Sequence, residues 1–519
     1  MTCFRAKNPV TREYRGDRVN PVNSRADRAA ARRAPARRSG TRCCAAGPSI
    51  RGKVARVDRV VRVWRLGVTL LLALPLLVRP AFAGTARRDP PLLFGAGPHV
   101  VRPPVEIDPL LPTGARFAAR RERPKSLGSA CSARYPVCVQ RAASVSAARA
   151  LRALAALELG YERVVLALRV PAPLGDDAHG GSDALDWYLE ADAGELESER
   201  DAVRFGVLDR AAAFCVSGAS DDEVLAERDA TLCLGEAIAK RLDPGETPGV
   251  QRAFATELWW LTGPVSALDV QLVDDAQAHP ELALAGRTAP ERGAASLLLD
   301  FLEQARSSQG SAELSTSLFA AAASGTRGGS LDWNNEPDVF DVLRHTLDED
   351  SAKVATLFGD YAVSRAFLGD RGDGSHPPFG EWAGAFGRPR YDWVIKFSSL
   401  PRRVRAARPI EPTGIELIWV DLDEVPMGVS LGFESEWEAP VAFKWRLISL
   451  DESGREMARV DVPFQERGRS SEGRVVNLTG VRAVLAVGIN LGGVDLAHPF
   501  DPDLDPFEAQ SCTAYFARM

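Results

Sequence analysis

DATLCLGEAIAKRLDPGETPGVQRAFATELWWLTG, residues 229–263, is the stretch on which the reading of this 519-residue chain turns. It reads as two consecutive helices. Asp229 is placed to cap the first, which runs to Leu242. Asp243-Pro244-Gly245 supplies stop signals, and a second helix starts near Thr247-Pro248.

Upstream, Val137-Cys138-Val139 is a short strand. Between Ser144 and Leu168, apolar Leu151, Leu154, Leu157, Tyr161, Val164 and Leu168 recur at spacings of three and four, which predicts an amphipathic helix. After a Gly/Asp-rich turn, Leu185–Leu189 reads as a strand, and the VRFGVL segment after Asp201 as another. His179 sits in that turn beside aspartates. A metal site is conceivable there, but a solvated turn is the usual explanation.

Downstream, GAASLLLDFLEQ opens a strongly apolar helix at Gly293, and helical patterns recur at Asp338–Leu347 and Ser351–Leu368. The Arg-Gly-Asp triplet at 371–373 is read as a turn. From about Ile410 the period changes to two, through Ile415, Leu417 and Trp419, then Val441, Phe443, Trp445 and Leu447, then Leu485, Val487 and Ile489. Short strands at this spacing predict an all-β sandwich over 408–519. An acidic loop, DPDLDPFE at 501–508, holds carboxylates at alternate positions, but its prolines and missing glycine break the calcium-loop pattern.

Charge divides the chain. Residues 1–65 carry 18 Lys+Arg against 4 Asp+Glu, whereas residues 84–519 carry 45 against 65. An acidic body repels phosphate backbones, so nucleic acid is not an expected partner. The basic head is expected to lack order, and translation could instead begin downstream, at Val54, Val57 or Val60. Residues 66–83 join an apolar run, LGVTLLLALPLLV, to Ala81-Phe82-Ala83, the pattern of a cleaved signal peptide. The run is short for a membrane span; an uncleaved anchor is the competing reading. Residues 84–128, rich in Pro, Gly and Arg, read as a linker.

Export would permit disulfides. Cys131 and Cys138 bracket a short loop and would pair locally, Cys215 and Cys233 are a second pair, and Cys512 is left over as a buried thiol.

The centre of the first helix, Gly235-Glu236-Ala237-Ile238-Ala239, has the shape of a His-Glu-x-x-His zinc helix without its histidines. With the turn Gly180-Gly181-Ser182-Asp183 leading into Leu185–Leu189, the segment Phe205–Asp209, and the Gly-Ala-x-x-Leu helix at Gly293, the chain resembles secreted bacterial metallopeptidases of the zincin fold, gluzincin type. The resemblance implies an α+β fold: a zincin-like domain over 129–405, with a small mixed sheet and a helical lobe, followed by the β-sandwich domain. In that family two histidines four apart bind zinc, and the adjacent glutamate is general base to the metal-bound water. Here the ligand positions fall on Gly235 and Ala239. Glu236 matches the general base and is read as vestigial, and Glu257 lies near the third ligand position. His179, His279 and His345 do not supply the motif. No cofactor is therefore expected, and catalysis is disfavoured.

Three functions follow. The first is a catalytically inactive exported protein that binds a protein, a peptide or an envelope polymer. The second is a hydrolase with a non-standard site, although no Gly-x-Ser-x-Gly elbow is present. The third is a structural envelope protein. The only membrane contact expected is through an uncleaved signal segment.

Overall fold

Pro136 leads directly into a parallel core of three strands, and every residue of two of them is buried. In the computed structural model, residues 122–519 are described except 177, 204–208, 285–287, 307–310, 323–336, 349, 370–371, 374–375, 377–386, 388, 424–427, 465–467 and 494–508. The basic head, the signal segment, most of the linker, residues 205–208 and the acidic loop at 501–508 thus lie outside the description.

The first sheet runs in the order β1 (Gly128–Cys131), β2 (Val137–Arg141), β3 (Leu185–Leu189), β5 (Ala211–Ser217), β4 (Glu197–Val203). β2, β3 and β5 are parallel, and the outer strands β1 and β4 are antiparallel to their neighbours. LDWYL and AAAFCVS are buried throughout, as strands covered on both faces must be. One face packs on two helices, α1 (Ala147–Tyr161) and α2 (Glu223–Leu242), through Val139, Trp187, Ala213, Leu157 and Leu234. Both expected disulfides are present. Cys131–Cys138 staples β1 to β2, and Cys215–Cys233 ties β5 to α2; Cys512 is free and buried.

α1 starts one residue after its Ser146 cap and passes into a π-helical segment, Glu162–Ala167. Of the apolar stripe, Leu157 and Val164 are fully buried, but Leu151 is 59% exposed because Ala150, Ala153 and Ala156 face the sheet instead. Small residues let the helix lie close to the strands. α2 begins six residues before the expected start at Asp229, capped by the Asp222 side chain on the Leu225 amide. Its other end falls at Leu242, as expected. α3 (Pro248–Thr262) opens with a Thr247 cap and proline in its first turn.

The helical lobe continues with α4 (Ala267–Ala278), α5 (Ala289–Arg306), α6 (Glu313–Ala322), α7 (Val339–Thr346) and α8 (Ser351–Ala366). The patterns predicted at 293, 338–347 and 351–368 fall on α5, α7 and α8.

The C-terminal β region is not a sandwich. It is one eight-stranded, nearly closed barrel-like sheet in the order β6 (Trp393–Lys396), β8 (Ile415–Asp421), β12 (Ala483–Gly493), β9 (Leu431–Leu450), β13 (Cys512–Arg518), β7 (Arg402–Arg405), with β10 (Glu456–Asp461) and β11 (Gly468–Val475) also paired to β9. The physical reason lies in β9. Its first part pairs with β13 and β11, and its second with β12 and β10. The register against β11 shifts between Gly468 and Ser470, beside Ala439-Pro440, where proline removes a ladder donor and the strand bends. One strand therefore serves both halves and no second sheet separates.

The barrel's inner face holds Phe433, Trp437, Phe443, Trp445 and Phe516. Its outer face, through Ile415, Leu417, Ile448, Leu485 and Val487, joins Phe254, Leu298, Phe358 and Tyr361 of the helices in a single core.

Candidate binding groove

Glu236 extends from the middle of α2 toward the free edge of the first sheet. The residue is 4% exposed, and its carboxylate is held by two side chains, one from α3 and one from β4. The Arg252 guanidinium, one turn into α3, donates to Oε1, and the Ser198 hydroxyl of β4 donates to Oε2. Lys240, one turn along α2, donates from Nζ to Ser198 Oγ at 2.6 Å. Burial alone would push the Glu236 carboxyl up. The charges of Arg252 and Lys240, with the Ser198 and Arg252 hydrogen bonds, outweigh it and hold the group below the usual glutamate range. Burial lowers the Lys240 ammonium despite the neighbouring Glu236.

These residues floor a groove of about 740 Å³. Its walls are β4 with the residues just before it, the turn 244–248, and Gln251, Arg252 and Arg292. Among the described residues β4 pairs only with β5, so its other edge is open to the groove. At the mouth, Arg292 reaches Glu195 at 3.4 Å.

Gly235 and Ala239, the positions where the resemblance expects zinc ligands, do not line this groove. Both are buried against α3. A Cβ at residue 235 would lie 2.6 Å from both Cα and Cβ of Ala255. The backbone of α3 fills the place a larger side chain would need. Glu257 is fully buried elsewhere, between α5 and α6. Its Oε1 accepts from Ser315 Oγ at 2.9 Å, while its Oε2 has no hydrogen-bond partner. Burial first, then the charges of Glu303 and Asp300, push it well above the glutamate range. Both favour its neutral form inside the lobe. No group of three or more His, Cys, Asp or Glu among the described residues is arranged to hold a metal ion. The residues present do not fit zinc.

The remaining histidines belong to different elements. His179 reaches Asp201 from the Gly/Asp-rich turn, His279 caps α4 beside Glu281, and His345 is in the last turn of α7. Arg123, inside the stretch read as linker, gathers Asp176 of the turn, Asp186 of β3 and Asp201 of β4. Its guanidinium bonds Asp176 and Asp186 at 2.6 Å each, reaches Asp201, and lies 5.0 Å from the Phe214 ring centroid. Trp259 is core, with its indole N–H on Asp269 at 2.8 Å.

Sequence reasoning missed Ser198, Lys240 and Arg252. Lys240 was within reach of it, because a carboxylate and an ammonium four apart on a helix share a face. Ser198 and Arg252 carry no local signal, since tertiary packing brings them in from other elements. Compared with protein-family models and with curated proteins, the sequence matches neither.

Proposed function

We propose that this is an exported, zincin-like protein without metallopeptidase activity, whose groove holds an extended peptide by adding it as a strand to β4. The observation that carries the reading is the packing of Gly235 on Ala255, which leaves no room for a ligating side chain where the resemblance requires one. The free edge of β4 beside α2 supports the binding role. An exposed strand edge offers unpaired N–H and C=O groups to an incoming chain, and side-chain pockets add selectivity. Two disulfides are compatible with export. No helix among the described residues is long and apolar enough to cross a membrane.

The general-base position supports the loss of activity too. A general base works best with a pKa near the operating pH. Glu236 gives both oxygens to Arg252 and Ser198, and its lowered pKa makes it a weak proton acceptor. Elemental analysis of the purified, oxidised chain is expected to find no stoichiometric zinc. Zinc held by α2 and α3 would overturn the reading.

A second reading, a hydrolase with a non-standard site, draws on the 2.6 Å approach of Lys240 to the Ser198 hydroxyl. Turnover in a broad peptide and ester screen that Ser198→Ala abolishes would favour it.

A further inference from the structure

Arg123 sits in a pocket on the face of the first sheet away from α1 and α2. Gln140 of β2, Asp186 and Tyr188 of β3 and Phe214 of β5 share that face, because Val139, Trp187, Ala213 and Cys215 alternate to the helix side. Asp176 and Asp186 are 0% exposed and Asp201 3%, and their three carboxylates surround one guanidinium. Nη2 meets two of them and Nη1 the third, and the Tyr188 hydroxyl accepts from Nη1 at 3.2 Å. Oxygens that meet both ends of one planar fork suit a guanidinium better than a compact ammonium. The Phe214 ring adds an aromatic wall.

The pocket holds more negative charge than its occupant cancels. Against three carboxylates stand Arg123 and the exposed His179, 3.2 Å from Asp201. Gln140 donates to Asp186 Oδ1 at 3.0 Å, but Asp176 Oδ1 is buried without a hydrogen-bond partner. The chain passes so close at Gly180 that a Cβ there would fall on Asp186 Oδ2 and 2.9 Å from Arg123 Nη1. Emptied, the pocket would leave three buried carboxylates facing one another, which is costly unless they take up protons or another cation. The arginine arrives on an irregular stretch. Residues 122–126 form no helix or strand, and Lys125 and Ser126 are exposed. Among the described residues, the first backbone hydrogen bond here runs from the Leu127 N–H to the Arg141 carbonyl at 2.7 Å. The Arg123 side chain anchors what precedes it.

We propose that Asp176, Asp186, Asp201 and the Phe214 ring form an arginine-recognition site, that residues 122–126 fill it in cis as a strap, and that an arginine of an extended peptide enters when Arg123 is withdrawn. None of these four residues lines the groove, so the site stands whether or not β4 adds a strand. A tethered arginine has a high effective concentration, so a free peptide competes poorly while the strap is in place. Lysine fits less well, because one ammonium does not span carboxylates set around a planar fork. Citrulline keeps the shape of arginine without its charge and leaves the carboxylates uncompensated.

The probe is the strap's own pentapeptide, Glu-Arg-Pro-Lys-Ser, acetylated and amidated, with versions carrying lysine or citrulline in place of arginine. Each is titrated against the full oxidised chain and against its Arg123→Ala variant, with the melting temperature as readout. The variant is expected to melt below the parent. The arginine peptide is expected to raise its melting temperature saturably, at about one-tenth of the concentration that the lysine version needs. The citrulline version is expected to shift nothing, and the parent, its site filled, to respond to none of the three. Should Arg123→Ala not fold, Arg123→Lys keeps a charge in the pocket and carries the same titration with a smaller shift. No shift by the arginine peptide in the folded variant, or equal shifts by the arginine and lysine peptides, overturns the arginine site. A shift of the parent as large as the variant's puts the peptide elsewhere and overturns it too.

Discussion

Glycine at 235 is required by the distance between two helices. In an exposed helix, Gly→Ala gains about 1 kcal/mol. Here the added carbon would meet the Cα of Ala255 at 2.6 Å, and backbone cannot rotate away. Overpacking of that kind costs about 1–3 kcal/mol. The clash outweighs the propensity gain, so Gly235→Ala is expected to lower the melting temperature. Placing histidine at both positions, Gly235→His with Ala239→His, is expected to lower it further and to bring no zinc, read by calorimetry and elemental analysis. Glu257 shows the reverse logic. A buried carboxyl whose folded pKa lies above its unfolded value binds its proton more tightly in the fold. Its contribution is therefore complete below the unfolded value, about 4.3, and is lost as pH rises toward the folded one. Across that window the loss is about 1.4 kcal/mol per pH unit. Glu257→Gln keeps the shape and the Ser315 hydrogen bond without the proton dependence. Urea unfolding is expected to find the variant as stable as the parent near pH 4 and more stable at pH 8. Equal stability at both would contradict the neutral buried acid.

At the scale of elements, His376 connects the segment after α8 to β10. Its Nδ1 lies 2.9 Å from Asp373 and its Nε2 2.7 Å from Glu456, and its ring stacks on Phe367 at 3.9 Å between centroids. Arg459, 3.2 Å from Nε2, is the positive neighbour. Burial opposes the charged ring, but the hydrogen bonds to Glu456 and Asp373 outweigh it and raise its pKa. A raised histidine stabilises fully below its unfolded value, about 6.5, and loses that contribution as pH climbs through the folded value. His376→Gln is expected to cost about 1 kcal/mol at pH 5.5 and clearly less at pH 9, discounted for partial solvent access. Hydrogen exchange at the β10 amides would report it; a cost independent of pH would sink the ion-pair account. Elements are also where the sequence is most and least legible. The ends of α3, α7 and α8 carry their signals locally, in Thr247-Pro248, Asp338 and Asp350. The start of α2 was placed late because Asp229 looks like a cap, while the acting cap, Asp222, precedes a weakly periodic first turn. Barrel closure was not legible, because it depends on which strands share β9. Of the groove, Glu236 and Lys240 were written on one helix face, but the Arg252 and Ser198 that neutralise and orient them were not.

On the scale of the whole molecule, helices and barrel are bound by a shared interior. The outer face of β8, β9 and β12 contributes Ile415, Leu417, Ile448, Leu450, Leu485, Val487 and Ile489 to the core that also holds Phe254, Phe358 and Tyr361. Neither part can be drawn away without exposing that face to water, at about 25 cal/mol per Å² of apolar surface. Arg446 of β9 spans the same boundary, reaching Thr356 and Asp360 of α8 from a side chain only 4% exposed. An isolated barrel fragment, residues 390–519, would present seven large aliphatic side chains on one face and is expected to self-associate or bind a hydrophobic dye. In the full chain the two parts should unfold together. Pulsed hydrogen exchange at the β9 and β12 amides follows the sheet, while circular dichroism at 222 nm is dominated by the helices. Denaturation followed by both signals is expected to give one coincident transition. Two transitions, with the sheet signal persisting after the helical signal has gone, would mean that the barrel stands alone and that its apolar outer face tolerates water, which the burial of those seven side chains argues against.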